Sequence, residues 1–284
     1  MQWLRKLSGL VPALALAGRA LLRERRCLSC GLPFVPAAAI PAALANPAPF
    51  ANTARPGLLP APLCPACAVS MPRREAGYCP DCGAVAAWPG LPIAPCGQCL
   101  GEAPPWQALY FHGVFAGNLR RMVHRLKYAR GLAEGACLGQ LLAWHPGLAL
   151  EAESAAPLVV PVPLHQKRLG SRGYNQSMEI GRGLVRNLNR NLARPLHLTP
   201  AILHRIRNNR PQIGLSRVER QENTRGIFAV QGEVTGLHIL LVDDVFTTGA
   251  TLSEATRTLL GAGAARVAVA VVARAMRCNR SFIA

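Results

Sequence analysis

Aromatic residues make up only 5% of this 284-residue sequence, and acids number 14 against 32 Lys and Arg. Lysine itself is scarce, with Lys6, Lys127 and Lys167 its only positions. No stretch approaches the roughly 18 to 20 uninterrupted apolar residues of a membrane-spanning helix. The shortage of acid leaves a formal charge of +18, which excludes an acidic solvating protein and predicts a polyanionic partner or substrate. The shortage of rings means that a core must come from Val, Leu, Ile and Ala, which are concentrated in the second half. The length suits one large or two smaller domains. The excess of arginine over lysine decides nothing, since codon bias produces it as readily as phosphate recognition.

Cysteine is plentiful and unevenly placed. Eight of ten cysteines lie between Cys27 and Cys99, as the pairs Cys27/Cys30, Cys64/Cys67, Cys79/Cys82 and Cys96/Cys99. Disulfides within such pairs would staple almost nothing. Zinc fits better, because two residues between thiolates let one turn aim both sulfurs at a tetrahedral ion. A dithiol redox relay is the rival, but no thioredoxin-like context surrounds the pairs. Eight thiolates make two zinc sites, and the spacing leaves open which pairs share an ion. Sites with four cysteine ligands have no free coordination position, so both zincs are expected to be structural. Each site carries a formal charge of −2, which lowers the net charge only to about +14. Cys137 and Cys278 read as buried or incidental thiols.

Residues 1–26 could mimic a signal peptide, but zinc thiolates imply a reducing, cytoplasmic setting and favour an amphipathic N-terminal helix. Residues 27–105 form the expected double zinc-ribbon module, with an Ala/Pro-rich insertion at 33–62. Residues 106–284 change texture. Strands are predicted at Leu109–Phe115, Leu158–Val162, Ile227–Val230, His238–Val242 and Arg266–Val272. Helices are predicted at Asn118–Ala129, Leu132–Trp144, Asn175–Asn191, Ser216–Asn223 and Leu252–Gly261. The alternation predicts an α/β fold with a mostly parallel sheet covered on both faces.

The segment HILLVDDVFTTGATLSEATRTLL, from His238 to Leu260, says most. A buried strand ends in Asp243 and Asp244, a short loop follows, and a helix begins. Gly249 permits a tight turn. Backbone N–H groups at the helix N-terminus make an anion site, with the hydroxyls of Thr247, Thr248 and Thr251 as further donors. Ionised carboxylates accept hydrogen bonds only, so sugar hydroxyls suit the acids better than phosphate does. The loop thus asks for a sugar phosphate. An ordinary capped helix would explain one threonine but not two adjacent acids at the end of an apolar strand.

VDDVFTTGAT resembles the phosphoribosyl pyrophosphate (PRPP) motif of type I phosphoribosyltransferases. Further segments, VVPVPLHQKRLGSRGYNQSMEI, RRMVHRLKYARG and RPQIGLSRVERQENTRGIF, resemble the ComF family. That family joins a cysteine-rich zinc-ribbon region to a phosphoribosyltransferase-like domain and is associated with competence and DNA utilisation. The resemblance implies that Asp243 and Asp244 hold the ribose hydroxyls. It places the 5-phosphate on Thr247, Thr248, Gly249, Ala250 and Thr251. It implies Mg²⁺ bound with PRPP, and Lys167, Arg168 and Arg172 near pyrophosphate. The Ala/Pro insertion departs from the family pattern.

Arg120, Arg121, Arg125, Lys127 and Arg130 form a basic stretch without an acid. With Met122, Leu126 and Ala129 facing inward, these cations read as a solvated face or as a track for single-stranded DNA or another nucleic acid. Tyr128 and Tyr174 could stack bases but are more often packing residues. His124, His165 and His204 show no ligand spacing. Two function classes follow. One is a phosphoribosyltransferase acting on an unidentified acceptor. The other is a nucleic-acid-binding accessory protein, with competence or DNA-processing proteins as partners, in which the PRPP site is a sensor or vestigial.

Overall fold

The computed structural model describes residues 24–35, 62–86, 88, 90–129, 131–207 and 225–276. The chain divides into two units, Met1–Ser70 and Met71–Ala284. The first holds the pairs Cys27/Cys30 and Cys64/Cys67, and the second holds Cys79/Cys82, Cys96/Cys99 and the α/β region.

In the first unit, strands β1 (Arg25–Arg26) and β2 (Pro33–Phe34) pair antiparallel around the Cys27–Cys30 turn. Helix α1 (Pro65–Val69) follows Cys64, with proline in its first turn, where a missing N–H costs nothing. The expected N-terminal helix falls mainly on residues 1–23, outside the described residues, while Arg25 and Arg26 are extended. Most of the Ala/Pro-rich insertion also lies outside them.

The second unit is built on four parallel strands in the order β3 (Ala108–Val114), β8 (Arg266–Arg274), β7 (His238–Phe246) and β4 (Leu158–Pro161). Strand alternation sends Ile239, Leu241, Val267, Val269 and Val271 to one face. There they meet Leu252, Ala255 and Leu259 of α8 (Ala250–Gly261), together with Leu203 and Phe228 from the small hairpin β5 (Leu203–Arg205) and β6 (Phe228–Val230). The other face is covered by α4 (Leu132–Ala143) and α7 (Gln176–Leu188). These helices cross so closely that a Cβ at Gly139 or Gly183 would overlap the facing backbone. Both faces are thus covered, as the continuous apolar strands require.

The remaining helices are α2 (Gly97–Gly101), α3 (Gly117–Tyr128), α5 (Pro146–Ala155) and α6 (Gln166–Arg172). Strands β7 and β8 run further than expected, because the acids of β7 stay in register with β8, Asp243 opposite Val271. Helices α5 and α6 and strand β5 were not anticipated. Pro146 occupies the permissive first turn of α5. The helix expected at Ser216–Asn223 lies outside the described residues.

Candidate functional site

The eight clustered cysteines sort by sequence order. Cys27, Cys30, Cys64 and Cys67 converge in the first unit, and Cys79, Cys82, Cys96 and Cys99 in the second, with all ligand atoms of each set within 4.8 Å of one another. Sulfurs about 2.3 Å from a tetrahedral zinc stand about 3.8 Å apart. The Cys30–Cys64 and Cys82–Cys96 sulfurs lie 3.9 and 3.7 Å apart. Burial opposes ionisation of Cys27, yet N–H groups of Cys64, Cys30 and Ser29 bring its thiol down to about 6. Burial and neighbouring thiols push Cys67 up to about 12. A divalent cation relieves this conflict by drawing all four groups to thiolate, so the donor sets fit zinc. Cys137 is buried, and Cys278 lies outside the described residues.

The acid pair sits inside β7. Strand β4 stops at Pro161, opposite Val242, so the β7 edge beyond Val242 has no strand partner on that side. A crevice at the carboxyl end of adjacent parallel strands is where open α/β sheets bind ligands. Ser177 donates its hydroxyl to Asp243 at 2.8 Å, and the Asp244 N–H donates to the same oxygen at 2.8 Å. Lys127 Nζ lies 3.0 Å from Asp244 Oδ1. Burial raises the Asp243 carboxyl to about 7, as does the Asp244 charge, while the Asp244 N–H, Ser177 and Lys127 work the other way.

The turn after β7 is held open by Gly249 at φ +84°, which also caps α8. No side-chain cap closes this helix end; the nearest hydroxyl, Thr248 Oγ1, lies 3.5 Å from the Ala250 nitrogen. The helix starts earlier than expected, at Ala250. Thr247 is exposed, Thr248 and Thr251 are half-buried, and Gly249 and Ala250 are buried.

The basic candidates scatter. Lys127 does not point away from the protein but into the acid pair, because α3 buries Leu119, Met122, Val123 and Leu126 and thereby turns Lys127 toward β7. Ala129, expected to face inward, lies past the helix and is exposed. Arg120, Arg121 and Arg125 are exposed, and Arg130 lies outside the described residues. Arg121 pairs with Asn118, Arg125 approaches Glu134 at 3.9 Å, and Tyr174 donates its hydroxyl to the Leu126 carbonyl. Lys167, Arg168 and Arg172 stand on the short helix α6 rather than on a loop; the first two are exposed, and the Arg172 guanidinium lies 5.3 Å from the Tyr128 ring centre.

Sequence reading assigns three groups around this crevice no role in it. Ser177 binds Asp243, and its only signal was its place beside Asn175 at a helix start. Arg205, more than half enclosed, is depressed by burial and by Arg168, and supported by Asp243. Arg274 is 1% exposed and gave no signal beyond ending an apolar strand.

A parallel α/β core that carries an acid pair and a glycine-opened helix turn on its inner strand is the phosphoribosyltransferase class of domain. The phosphoribosyl transferase domain family matches residues 182–281. The chain is 35% identical over 217 residues to DNA utilization protein YhgH of Salmonella typhi, covering 75% of this chain and 91% of that protein. It is 29% identical over 208 residues to competence protein F of Haemophilus influenzae, covering 70% and 85%. Over 108 residues it is 32% identical to competence protein ComFC of Bacillus subtilis, covering 38% and 40%. The chain belongs to the ComF family. No helix among the described residues is long and apolar enough to cross a membrane.

Proposed function

We propose that this protein binds PRPP with Mg²⁺ at the β7–α8 turn and transfers its phosphoribosyl group to an acceptor in DNA utilisation. One observation carries the reading: an acid pair on the open edge of β7 adjoins a helix N-terminus with no side-chain cap. Asp243 and Asp244 accept hydrogen bonds from the vicinal ribose hydroxyls. The N-terminal N–H groups of α8 and the Thr247, Thr248 and Thr251 hydroxyls take the 5-phosphate. Lys127 pairs with Asp244 at 3.0 Å, and the Ser177 hydroxyl donates to Asp243 at 2.8 Å, which holds both carboxylates in place. Lys167, Arg168, Arg172 and Arg205 supply positive charge for the pyrophosphate. In the transfer, the bond from ribose C1 to pyrophosphate oxygen breaks and the oxygen keeps the electron pair. An acceptor lone pair then bonds to C1. The acid pair fits a magnesium complex held through ligand and water oxygens, in which the ion would neutralise part of the pyrophosphate charge. The thiolate clusters support a cytoplasmic setting.

Calorimetric titration of Mg²⁺–PRPP into zinc-loaded protein tests this, beside the double variant Asp243→Asn/Asp244→Asn. Saturable binding that the variant loses is the expected result. Heats indistinguishable from dilution in the wild type would reduce the domain to a scaffold.

A second reading, a nucleic-acid accessory role, draws on α3. Phe115 and His124 stack with centres 5.9 Å apart, and His124 and exposed Tyr128 follow at 5.8 Å. Arg120 and Arg172 flank this row of rings. Rings interleaved with cations suit single-stranded nucleic acid. Its partners would include competence or DNA-processing proteins. Anisotropy with labelled single-stranded DNA should show binding that weakens steeply with salt and falls in Tyr128→Ala. Absence of binding even at low salt removes this reading.

A further inference from the structure

We propose that Arg274 is the positioning residue of the phosphate loop and couples that loop to the second cysteine cluster. The inference rests on the PRPP reading of the loop. Arg274 ends β8, within the core of the second unit, and its side chain is almost wholly buried. Its Nε donates to the carbonyl of Cys82, a cluster cysteine, at 2.8 Å. Its Nη1 donates to the carbonyls of Phe246 at 3.0 Å, Thr247 at 2.6 Å and Ala275 at 2.8 Å. The guanidinium also lies 4.3 Å from the centre of the Phe246 ring. One planar, permanently charged group therefore joins the cysteine turn to the first residues of the phosphate loop.

The bonds dictate where the loop amides point. In a trans peptide the carbonyl of one residue and the N–H of the next point in opposite directions. Arg274 draws the Phe246 and Thr247 carbonyls toward itself, so the N–H groups of Thr247 and Thr248 point away from it. Two successive amides facing one way begin an anion cradle that continues into the N-terminus of α8. Neighbouring groups hold the same corner. Trp106 donates to the Asp81 carbonyl at 2.7 Å and meets the Phe246 ring edge-on at 5.6 Å. A Cβ at Gly249 would stand 2.7 Å from the Phe246 ring. A cation this enclosed is costly unless compensated. Its carbonyl partners compensate part of that cost, and a metal-filled tetrathiolate, formally −2, adds an opposite charge beside it. Loss of metal from this cluster would free the Cys82 carbonyl and slacken the loop through Arg274.

The test combines amide hydrogen exchange, which needs no ligand, with Mg²⁺–PRPP titration and zinc analysis on the full chain. In Arg274→Lys, the cation remains but the fork is lost. Exchange at 247–251 should accelerate about tenfold or more while amides of α7 keep their protection. PRPP affinity should fall about tenfold, the effect of losing a charged hydrogen bond. Cys99→Ser should give the same loop signature from the metal end. Should Arg274→Lys fail to fold, wild-type chain before and after chelation supplies the same comparison. Loop protection unchanged on metal loss overturns the coupling, as does a loss of protection spread equally over α7. If wild-type protein does not bind PRPP but metal loss still exposes the loop, the ligand reading falls and the coupling stands.

Discussion

The two cysteine clusters are one motif built twice. In each, the residue before the first cysteine pairs with the residue three past the second: Arg26 with Pro33, and Tyr78 with Val85. The Gly31 N–H returns to the Cys27 carbonyl at 2.8 Å, and the Gly83 N–H to the Cys79 carbonyl at 2.8 Å. The Cys64 N–H donates to Cys27 Sγ at 3.3 Å, as the Cys96 N–H does to Cys79 Sγ at 3.3 Å. Their surroundings differ. Cys79, Cys82 and Cys99 are part of the hydrophobic core that includes Phe111, Phe246 and Val269. Cys30 of the first cluster is exposed, and Cys64 half-buried. The knuckle is therefore a portable device, and its environment decides what it supports. Loop length matters little: the first cluster tolerates the Ala/Pro insertion because each doubling of a loop costs only about 0.6 kcal/mol.

The largest expected effect breaks the second cluster. Cys82→Ser should lower zinc from two per chain to one, expose residues 247–251 to amide exchange and lower the melting temperature of the second unit, while the amides of α7 keep their protection. Cys30→Ser should remove one zinc while the near-ultraviolet dichroism and melting of the second unit persist. Equal damage from both substitutions would erase the distinction between the clusters.

A smaller effect is kinetic. Chelator should withdraw zinc in two phases, the first from the cluster with exposed Cys30, since ligand exchange begins at an accessible sulfur. Zinc release followed with a chromophoric chelator should lose its fast phase in Cys30→Ser and keep its slow one. A single phase in the wild type would show that core burial gives the second cluster no protection.

Legibility follows sequence separation. The β7–α8 turn was readable because strand, acids, turn and helix lie within one short segment. Two four-cysteine sets were readable from spacing within each pair, but not which pairs come together, which depends on how the chain returns after Cys30 and Cys82. Lys127 read as a surface cation because Asp244, its partner, sits on a distant strand. Arg274 was invisible for the same reason: its bond to Cys82 spans 192 residues. Helix periodicity could report that Leu126 faces inward, but not which element turns Lys127 toward an acid.

The smallest effect is a pH dependence confined to the second unit. The Asp243 carboxyl is raised to about 7 by burial and by Asp244, well above the ordinary aspartate value. A raised folded-state pKa means that the native chain holds a proton which the unfolded chain gives up. This contribution is fully present below about pH 4, in the ordinary aspartate range, and is lost as pH climbs toward 7. On the PRPP reading, ligand affinity moves in the opposite sense, because it is the ionised carboxylate that would accept the ribose hydroxyls. Affinity for Mg²⁺–PRPP should therefore rise through about pH 7 and level off above it. The two neighbours shift that midpoint oppositely. Asp244→Asn removes the like charge and should move it to lower pH, whereas Lys127→Met removes the compensating cation and should move it higher. Titrations across pH at fixed Mg²⁺ would measure both shifts. Coincident midpoints in the two variants would mean that Asp243 does not sense the charges beside it, and that the acid pair does not bind ribose as a coupled unit.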